Sequence, residues 1–305
     1  MNNIKFKNFS KWLLKFGLSS LALFFVFKKV ELNRIVEIAL SADPFFLALA
    51  VLAFNGSKII SAFRLNQFYK AVEVNLTEKY NLALYYLSMF YNLFLPGSIG
   101  GDAYKVYLLK QDGKGSLKSL SMATILDRVS GLTLLVFLSF LLVLVNQELQ
   151  QVNYLIPFTI FGLILTLPSY YLFTRLLFKS FSSKFWSTTH LSFWVQFGQL
   201  LCAYFILLAI GVVSNYLNYL VLFMVSSVVA VFPFSIGGIG ARELVFLYAH
   251  QFIAIDESHA ISFTLLFFST LAISSLLGLV FIVFPYKEKN PVSLPELLPN
   301  DEPLG

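Results

Sequence analysis

The chain has 305 residues, of which 58% are hydrophobic and only 12% are charged. This balance differs from that of an ordinary soluble domain and predicts a polytopic membrane protein. The formal net charge of +6 is spread over basic residues in short connections. Because phosphate backbones are bound by clustered basic faces, this distribution excludes a nucleic-acid partner.

Eight hydrophobic segments approach the roughly 20 residues that a membrane-spanning helix needs. In chain order they cover residues 12–27, 44–63, 80–95, 120–145, 154–173, 191–213, 216–232 and 260–285. The first follows a basic start and has a signal peptide as its alternative interpretation. No small-residue cleavage site follows it, so we interpret it as a retained helix. Two shorter pieces, 102–109 and 241–255, are too short to cross a bilayer alone.

Two of these segments are interrupted by the same motif, Pro-x-Ser-Ile-Gly-Gly. It occupies residues 96–101 and 233–238. The proline ends a helix, the glycines allow backbone angles that other residues avoid, and a short helix is predicted directly afterwards. A pair of broken helices at corresponding positions is typical of a transport site inside a membrane.

The distribution of basic residues predicts how the chain is threaded, because cytoplasmic connections collect lysine and arginine. The basic connections 64–79, 105–118 and 175–184, the N-terminal tail and the region of Lys287 and Lys289 are assigned to the cytoplasm. The weakly charged connections 146–153 and 214–215 and the acidic connection 256–259 are assigned to the outside. Because successive spans alternate in direction, 28–43 is placed there as well. Both termini are thus expected in the cytoplasm, with the protein in the cell membrane.

With this threading, each broken helix enters and leaves on one face, and the two enter from opposite faces. The sequence therefore predicts an all-α integral membrane protein, a bundle of about eight spans with two re-entrant hairpins related as an inverted repeat. The repeats cover about 44–145 and 191–285. The proline-rich residues 287–305 are expected to form a disordered cytoplasmic tail.

The starts of the two short helices are candidate anion sites. A helix N-terminus presents unpaired N–H groups and a partial positive charge, which suits a lipid phosphate. The candidate residues here are Ser98, Gly100, Gly101, Ser235, Gly237 and Gly238. The alternative interpretation is that the paired glycines only let each hairpin pack closely against its neighbours.

Ionisable residues at membrane depth are costly and mark functional sites by default. Those in this chain are Lys58, Arg64, Asp102, Lys105, Asp127, Arg128, Arg242 and Glu243. Adjacent helical residues point about 100° apart, so Asp127 and Arg128 need partners elsewhere. We expect Arg128 and Arg242 to meet Asp102, Glu243 or Asp127, leaving positive charge for a phosphate. The alternatives are ion pairs that only fix helix register and an interfacial anchor at Arg64.

Three of these features carry a resemblance to a known family. The stretch 96–103, the pair Asp127 and Arg128, and residues 235–240 followed by Arg242 and Glu243 resemble the transmembrane domain of lysylphosphatidylglycerol synthases, the flippase-like family. The resemblance covers 1–286. It implies a bundle with re-entrant helices in which Asp102, Arg128 and Glu243 are functionally important.

The resemblance also implies a function, the movement of a modified lipid across the cytoplasmic membrane. The soluble synthase domain has no counterpart here, so we expect lipid aminoacylation to be absent, with a separate lipid-modifying enzyme as a candidate partner. The resulting hypothesis is a translocator of an anionic or modified phospholipid, without catalytic residues, metal or cofactor. No nucleotide-binding loop is present. The alternative is a polytopic glycosyltransferase, or an accessory subunit, acting on a lipid-phosphate carrier, with Asp102 or Asp127 as base or metal ligand.

Overall fold

The computed structural model describes residues 32–94, 99–231 and 240–284, and within these ranges every regular element is a helix. The candidate span 12–27, residues 96–98 of the first glycine motif, the whole second motif and the tail 287–305 lie outside them. The helices are α1 (Leu32–Leu40), α2 (Pro44–Lys70), α3 (Glu78–Phe94), α4 (Gly100–Gln111), α5 (Leu117–Val145), α6 (Leu155–Leu177), α7 (Phe185–Ala209), α8 (Tyr216–Val231), α9 (Ala241–Ala249), α10 (Glu257–Leu276) and α11 (Gly278–Val283). Short 3-10 turns, Leu149–Gln151 and Lys179–Lys184, flank α6.

Five helical stretches in the described residues are long and apolar enough to cross a membrane. They are Pro44–Lys70, Leu117–Val145, Leu155–Leu177, Lys179–Ala209 and Glu257–Val283. The prediction of a helical integral membrane protein is therefore confirmed. Helices α3 and α8, with 17 and 16 residues, are shorter, and each ends beside a glycine motif. The count of eight spans and the inverted repeat stay predictions.

The connection 28–43 contains a helix that the sequence analysis missed. Helix α1 is amphipathic: Ile35 is buried against Leu247 and Ile261, while Arg34 is exposed and lies 3.2 Å from Asp256. Its nine residues are too few and too charged to register as a hydrophobic segment. Burial of one face against α9 and α10 stabilises it instead.

Helix α7 begins six residues earlier than its hydrophobic segment suggests. The added residues include Thr188, and Ser192 follows in the next turn; both are fully buried. Their hydroxyls donate to the carbonyls of Lys184 and Thr188, both at 2.8 Å, so the polar atoms are satisfied within the helix. Hydropathy alone counts such residues as polar and begins the segment too late.

Connections assigned to the same side of the membrane meet in the structure. Asn218 accepts from Asn146 at 2.7 Å and donates to Glu148 at 2.6 Å, and the N–H of Ala254 donates to Glu148 at 2.8 Å. This network joins the ends of α5, α8 and the α9–α10 connection. On the opposite side, Tyr80 donates to Asp112 at 2.5 Å. The grouping agrees with the threading, which itself stays a prediction.

The buried apolar residues form two large clusters with a polar layer between them. One contains Phe54, Leu135 and Cys202; the other contains Leu65, Leu126 and Phe185. Helices α2, α5 and α7 contribute to both. On each of these helices the buried residues between the clusters include polar or charged ones, such as Arg64, Asp127 and Ser192, so the three helices enclose a charged layer in the middle of the bundle.

The orientation can be tested by cysteine labelling in a Cys202→Ala background, since the native cysteine is buried. We expect Gln147→Cys, in the α5–α6 connection, to react with a membrane-impermeant maleimide in intact cells. Gln111→Cys, at the end of α4, is expected to react only after permeabilisation. Both side chains are exposed, so access depends on the side of the membrane. The reverse labelling pattern would show that the threading is inverted.

Candidate functional site

A cavity of about 310 Å³ occupies the charged layer. Its charged lining residues are Lys58, Arg64, Asp102, Asp127, Arg128 and Arg242, and its polar ones include Ser61, Ser88, Asn92, Gln196, Gln199, Ser227 and Ser275. These residues come from helices α2, α3, α4, α5, α7, α8, α9 and α10. At about 1.5 Å per residue, Lys58 lies about 18 Å along α2 from Lys70, which places the cavity deep in the bundle.

The first ion pair in the cavity joins α2 to α5. The Nε of Arg64 lies 2.7 Å from Oδ1 of Asp127, and its Nη1 donates to Ser192 of α7 at 3.0 Å. Only 5% of the Arg64 side chain is exposed. Gly131 makes room for the guanidinium, because a Cβ there would lie 3.2 Å from Nη1. The interpretation of Arg64 as an interfacial anchor is therefore wrong.

The second charged group is centred on Asp102 in the first turn of α4. Its Oδ2 accepts from the Nε of Arg128 at 2.6 Å. Its Oδ1 accepts from Lys105 at 3.0 Å and from Ser88 at 2.8 Å. The structure thus joins Arg128 to Asp102, one of the partners expected from the sequence. Lys105 is buried behind this carboxylate and does not line the cavity.

Two cations in the cavity have no carboxylate partner among the described residues. The ammonium of Lys58 lies 4.6 Å from the ring centre of Phe54. Arg242 donates to Ser227 at 2.7 Å, and its guanidinium lies 5.0 Å from the ring centre of Phe267. In the described residues Arg242 forms no ion pair with Asp102, Asp127 or Glu243, so that expected pairing is wrong. The internal segments 95–98 and 232–239 contain no ionisable side chain that would supply one.

Glu243 follows Arg242 but has a local partner. Its Oε2 accepts from the backbone N–H of Gly240 at 2.7 Å, which caps the start of its own helix, α9. Gly240 has a φ of +83°, a conformation that favours glycine. Glu243 is 1% exposed and lies outside the cavity lining. The structure therefore does not place it against Arg128 or Arg242.

The start of α4 is occupied by protein groups. The N–H of Gly101 donates to Oδ1 of Asn92 at 2.8 Å, and Asp102 supplies a negative charge in the first turn. A Cβ on Gly101 would lie 1.9 Å from the carbonyl oxygen of Ser88. Close packing of α4 on α3 is thus one reason for a glycine here. Gly100 begins α4, whereas Ser98, Ser235, Gly237 and Gly238 lie outside the described residues.

Several lining residues were missed in the sequence. Ser88, Asn92, Gln196 and Ser227 are uncharged polar residues inside apolar helices. Three of them donate or accept a hydrogen bond within the charged layer, through Asp102, Gly101 and Arg242. The sequence signal that could have identified them is the recurrence of polar residues at intervals of one helical turn, as at Ser88 and Asn92. The depth of Lys58 in its hydrophobic segment marks it as a candidate, and the structure places it in the cavity lining.

Comparison with known proteins identifies the family. A model described as "Lysylphosphatidylglycerol synthase TM region" matches residues 12–278. The chain belongs to this family. A UPF0104 membrane protein of Pyrococcus horikoshii is 25% identical over 285 residues, covering 77% of this chain and 85% of that protein. No solved structure matches the chain significantly. The resemblance inferred from the sequence motifs is thus confirmed.

The close approach at Gly101 predicts a strong effect of a single methyl group. Gly101→Ala places a Cβ into the Ser88 carbonyl, and we expect a loss of about 1–3 kcal/mol of stability from this overpacking. The measurement is thermal unfolding of the purified protein in detergent. Gly56→Ala in α2 is the matched control, because no atom lies within 4 Å of its Cβ position. Equal stability of Gly101→Ala and wild type would contradict the observed packing of α4.

The buried pair predicts non-additive mutations. Arg64→Met leaves the Asp127 carboxylate buried without its cation, at an expected cost of about 3–5 kcal/mol. Combining it with Asp127→Leu is expected to recover most of that loss, as measured by unfolding of single and double variants. The exposed pair Lys70 and Glu78 is the control, where each change should cost about 1 kcal/mol or less. Purely additive losses at positions 64 and 127 would exclude the coupling.

Proposed function

We propose that this member of the family binds the phosphate-bearing head group of an anionic or modified phospholipid in the charged cavity and moves it across the membrane. The observation that carries the proposal is the excess of cations over carboxylates in the cavity lining. Four cationic side chains face two carboxylates. Unpaired buried charge is unfavourable, so an anionic ligand is the natural counterpart of this arrangement.

The size of the cavity favours a head group over a whole lipid. Ligand pockets usually measure about 300–1,000 Å³, and this cavity is at the lower end of that range. Two acyl chains would need far more space. In the proposed mechanism the head group therefore passes through the cavity while the acyl chains stay in the bilayer.

Arg128 is the proposed entry residue. A third of its side chain is exposed, whereas the side chain of Arg64 is almost completely buried. When a phosphate arrives, Arg128 can transfer a hydrogen bond to it without leaving Asp102 unpaired, because Lys105 and Ser88 still donate to that carboxylate. The head group then reaches Lys58 and Arg242, which have no carboxylate to release.

The same contacts disfavour the glycosyltransferase hypothesis. A general base or metal ligand needs a carboxylate that is available to the reacting atoms. Asp102 receives three donors, and Asp127 is held by Arg64. Both carboxylates therefore act as counter-ions in the proposed mechanism.

Translocation can be measured with the purified protein in proteoliposomes containing fluorescent phosphatidylglycerol, using loss of fluorescence after addition of an external reductant. We expect Arg128→Gln and Arg242→Gln to lower the rate at least ~10-fold, equivalent to about 1.4 kcal/mol, since each removes a cation from the pathway. Lys70→Gln is the matched control, because Lys70 is outside the cavity. Wild-type rates in both cavity variants would exclude this pathway, and sugar transfer by purified protein would favour the enzyme hypothesis.

A further inference from the structure

The two cations without carboxylates lie on one pair of aromatic rings. The rings of Phe54 and Phe267 meet edge to face, with centres 5.9 Å apart. Lys58 lies over Phe54 at 4.6 Å, and Arg242 lies over Phe267 at 5.0 Å. Aromatic faces attract cations, so they hold both charged groups without neutralising them. Helices α2, α9 and α10 thus build one surface with two available positive charges.

Among the described residues, the charged side chains in the cavity lining and directly behind it carry an excess of two positive charges. In the lining, Arg64 is matched by Asp127 and Arg128 by Asp102, which leaves Lys58 and Arg242. The layer directly behind the lining does not change this balance, because it adds one cation, Lys105, and one carboxylate, Glu243. The two internal segments outside the described residues contain no ionisable side chain. A ligand with two negative charges would therefore neutralise the layer.

We propose that Lys58 and Arg242 form a subsite for a dianionic phosphate, so that the cavity selects a lipid phosphomonoester or diphosphate over a phosphodiester. This inference rests on the proposed function and names the substrate class for that site. A phosphomonoester carries about −1.5 to −2 charges at pH 7. A phosphodiester carries a single charge and would leave one cation uncompensated in the layer.

The two cations differ in a way that suits such a phosphate. The guanidinium of Arg242 can present two parallel N–H groups to two oxygens, and the ammonium of Lys58 acts as a mobile point charge. Ser227 already orients the guanidinium through its Nη1. The rings of Phe54 and Phe267 exclude water beneath both groups, which strengthens their attraction for an anion.

The test is equilibrium binding of lipids to the purified full-length protein in detergent. The probes are dioleoylphosphatidic acid, a phosphomonoester; dioleoylphosphatidylglycerol, a phosphodiester; dioleoylphosphatidylcholine; and inorganic phosphate. The assay is run at about pH 7, above the second pKa of about 6 of a phosphomonoester. We expect wild type to bind phosphatidic acid at least ~10-fold more tightly than phosphatidylglycerol, a difference of about 1.4 kcal/mol.

Charge variants distinguish lipid binding at the subsite from non-specific lipid binding by the helical bundle. Lys58→Gln and Arg242→Gln are expected to bring the two lipids to nearly equal affinity, whereas Arg242→Lys should retain the preference. Lys70→Gln, a change of the same type on the same helix as Lys58, should behave as wild type. Neither glutamine variant leaves a carboxylate without its partner, so both are expected to fold, as checked by gel filtration.

The outcomes distinguish this inference from the proposed function. Equal wild-type affinity for phosphatidic acid and phosphatidylglycerol, with both weakened by Arg242→Gln, would overturn the dianion subsite and leave anionic-lipid binding intact. Inorganic phosphate binding as tightly as phosphatidic acid would mean that the subsite takes free phosphate, which overturns the lipid assignment. Affinity for both anionic lipids no higher than for phosphatidylcholine would overturn both proposals.

Discussion

The buried contact between Arg64 and Asp127 is the constraint on which the rest of the bundle depends. Taking two charges out of water costs several kcal/mol per ion, and only close contact with further hydrogen bonds offsets that cost. Arg64 meets this requirement through Asp127 on α5 and Ser192 on α7. Any shift of one of these helices along its axis would separate the charges. The pair therefore fixes the register of three helices whose outer faces are mainly apolar.

Small residues make this charged layer compatible with tight packing. Gly131 leaves space for the Arg64 guanidinium, Gly198 lets α7 approach Ser57 of α2, and Gly101 lets α4 approach the backbone of α3. In a bilayer, close approach of backbones is a main source of helix association, because lipid tails are as apolar as the helices themselves. The same contacts shield the charged side chains from the lipid. Packing and charge burial in this protein are therefore two consequences of the same glycine positions.

The sequence predicts the long helices well because length and hydropathy decide them locally. The breaks beside the glycine motifs and the pairing of Arg128 with Asp102 could also be predicted from the sequence. The partner of Arg242 could not be predicted, because the rotation of α9 about its axis depends on how α8, α9 and α10 pack. Helix α1 was not predicted for a different reason. It is stabilised by the burial of Ile35 and by the contact of Arg34 with Asp256, and neither feature produces a hydrophobic run in the sequence.

The cations of the charged layer fall into two groups with different physical roles. Arg64 and Lys105 are almost fully buried against carboxylates: removing Arg64 would leave Asp127 without its cation, and removing Lys105 would leave Arg128 as the one cation bonded to Asp102. Lys58 and Arg242 are held by aromatic rings and a hydroxyl, and their removal leaves no such anion. Arg128 is intermediate, because Asp102 retains two other donors when Arg128 moves away. In the proposed mechanism the first group therefore mainly supplies stability and the second supplies ligand recognition, so that one cavity can combine paired charges with excess positive charge.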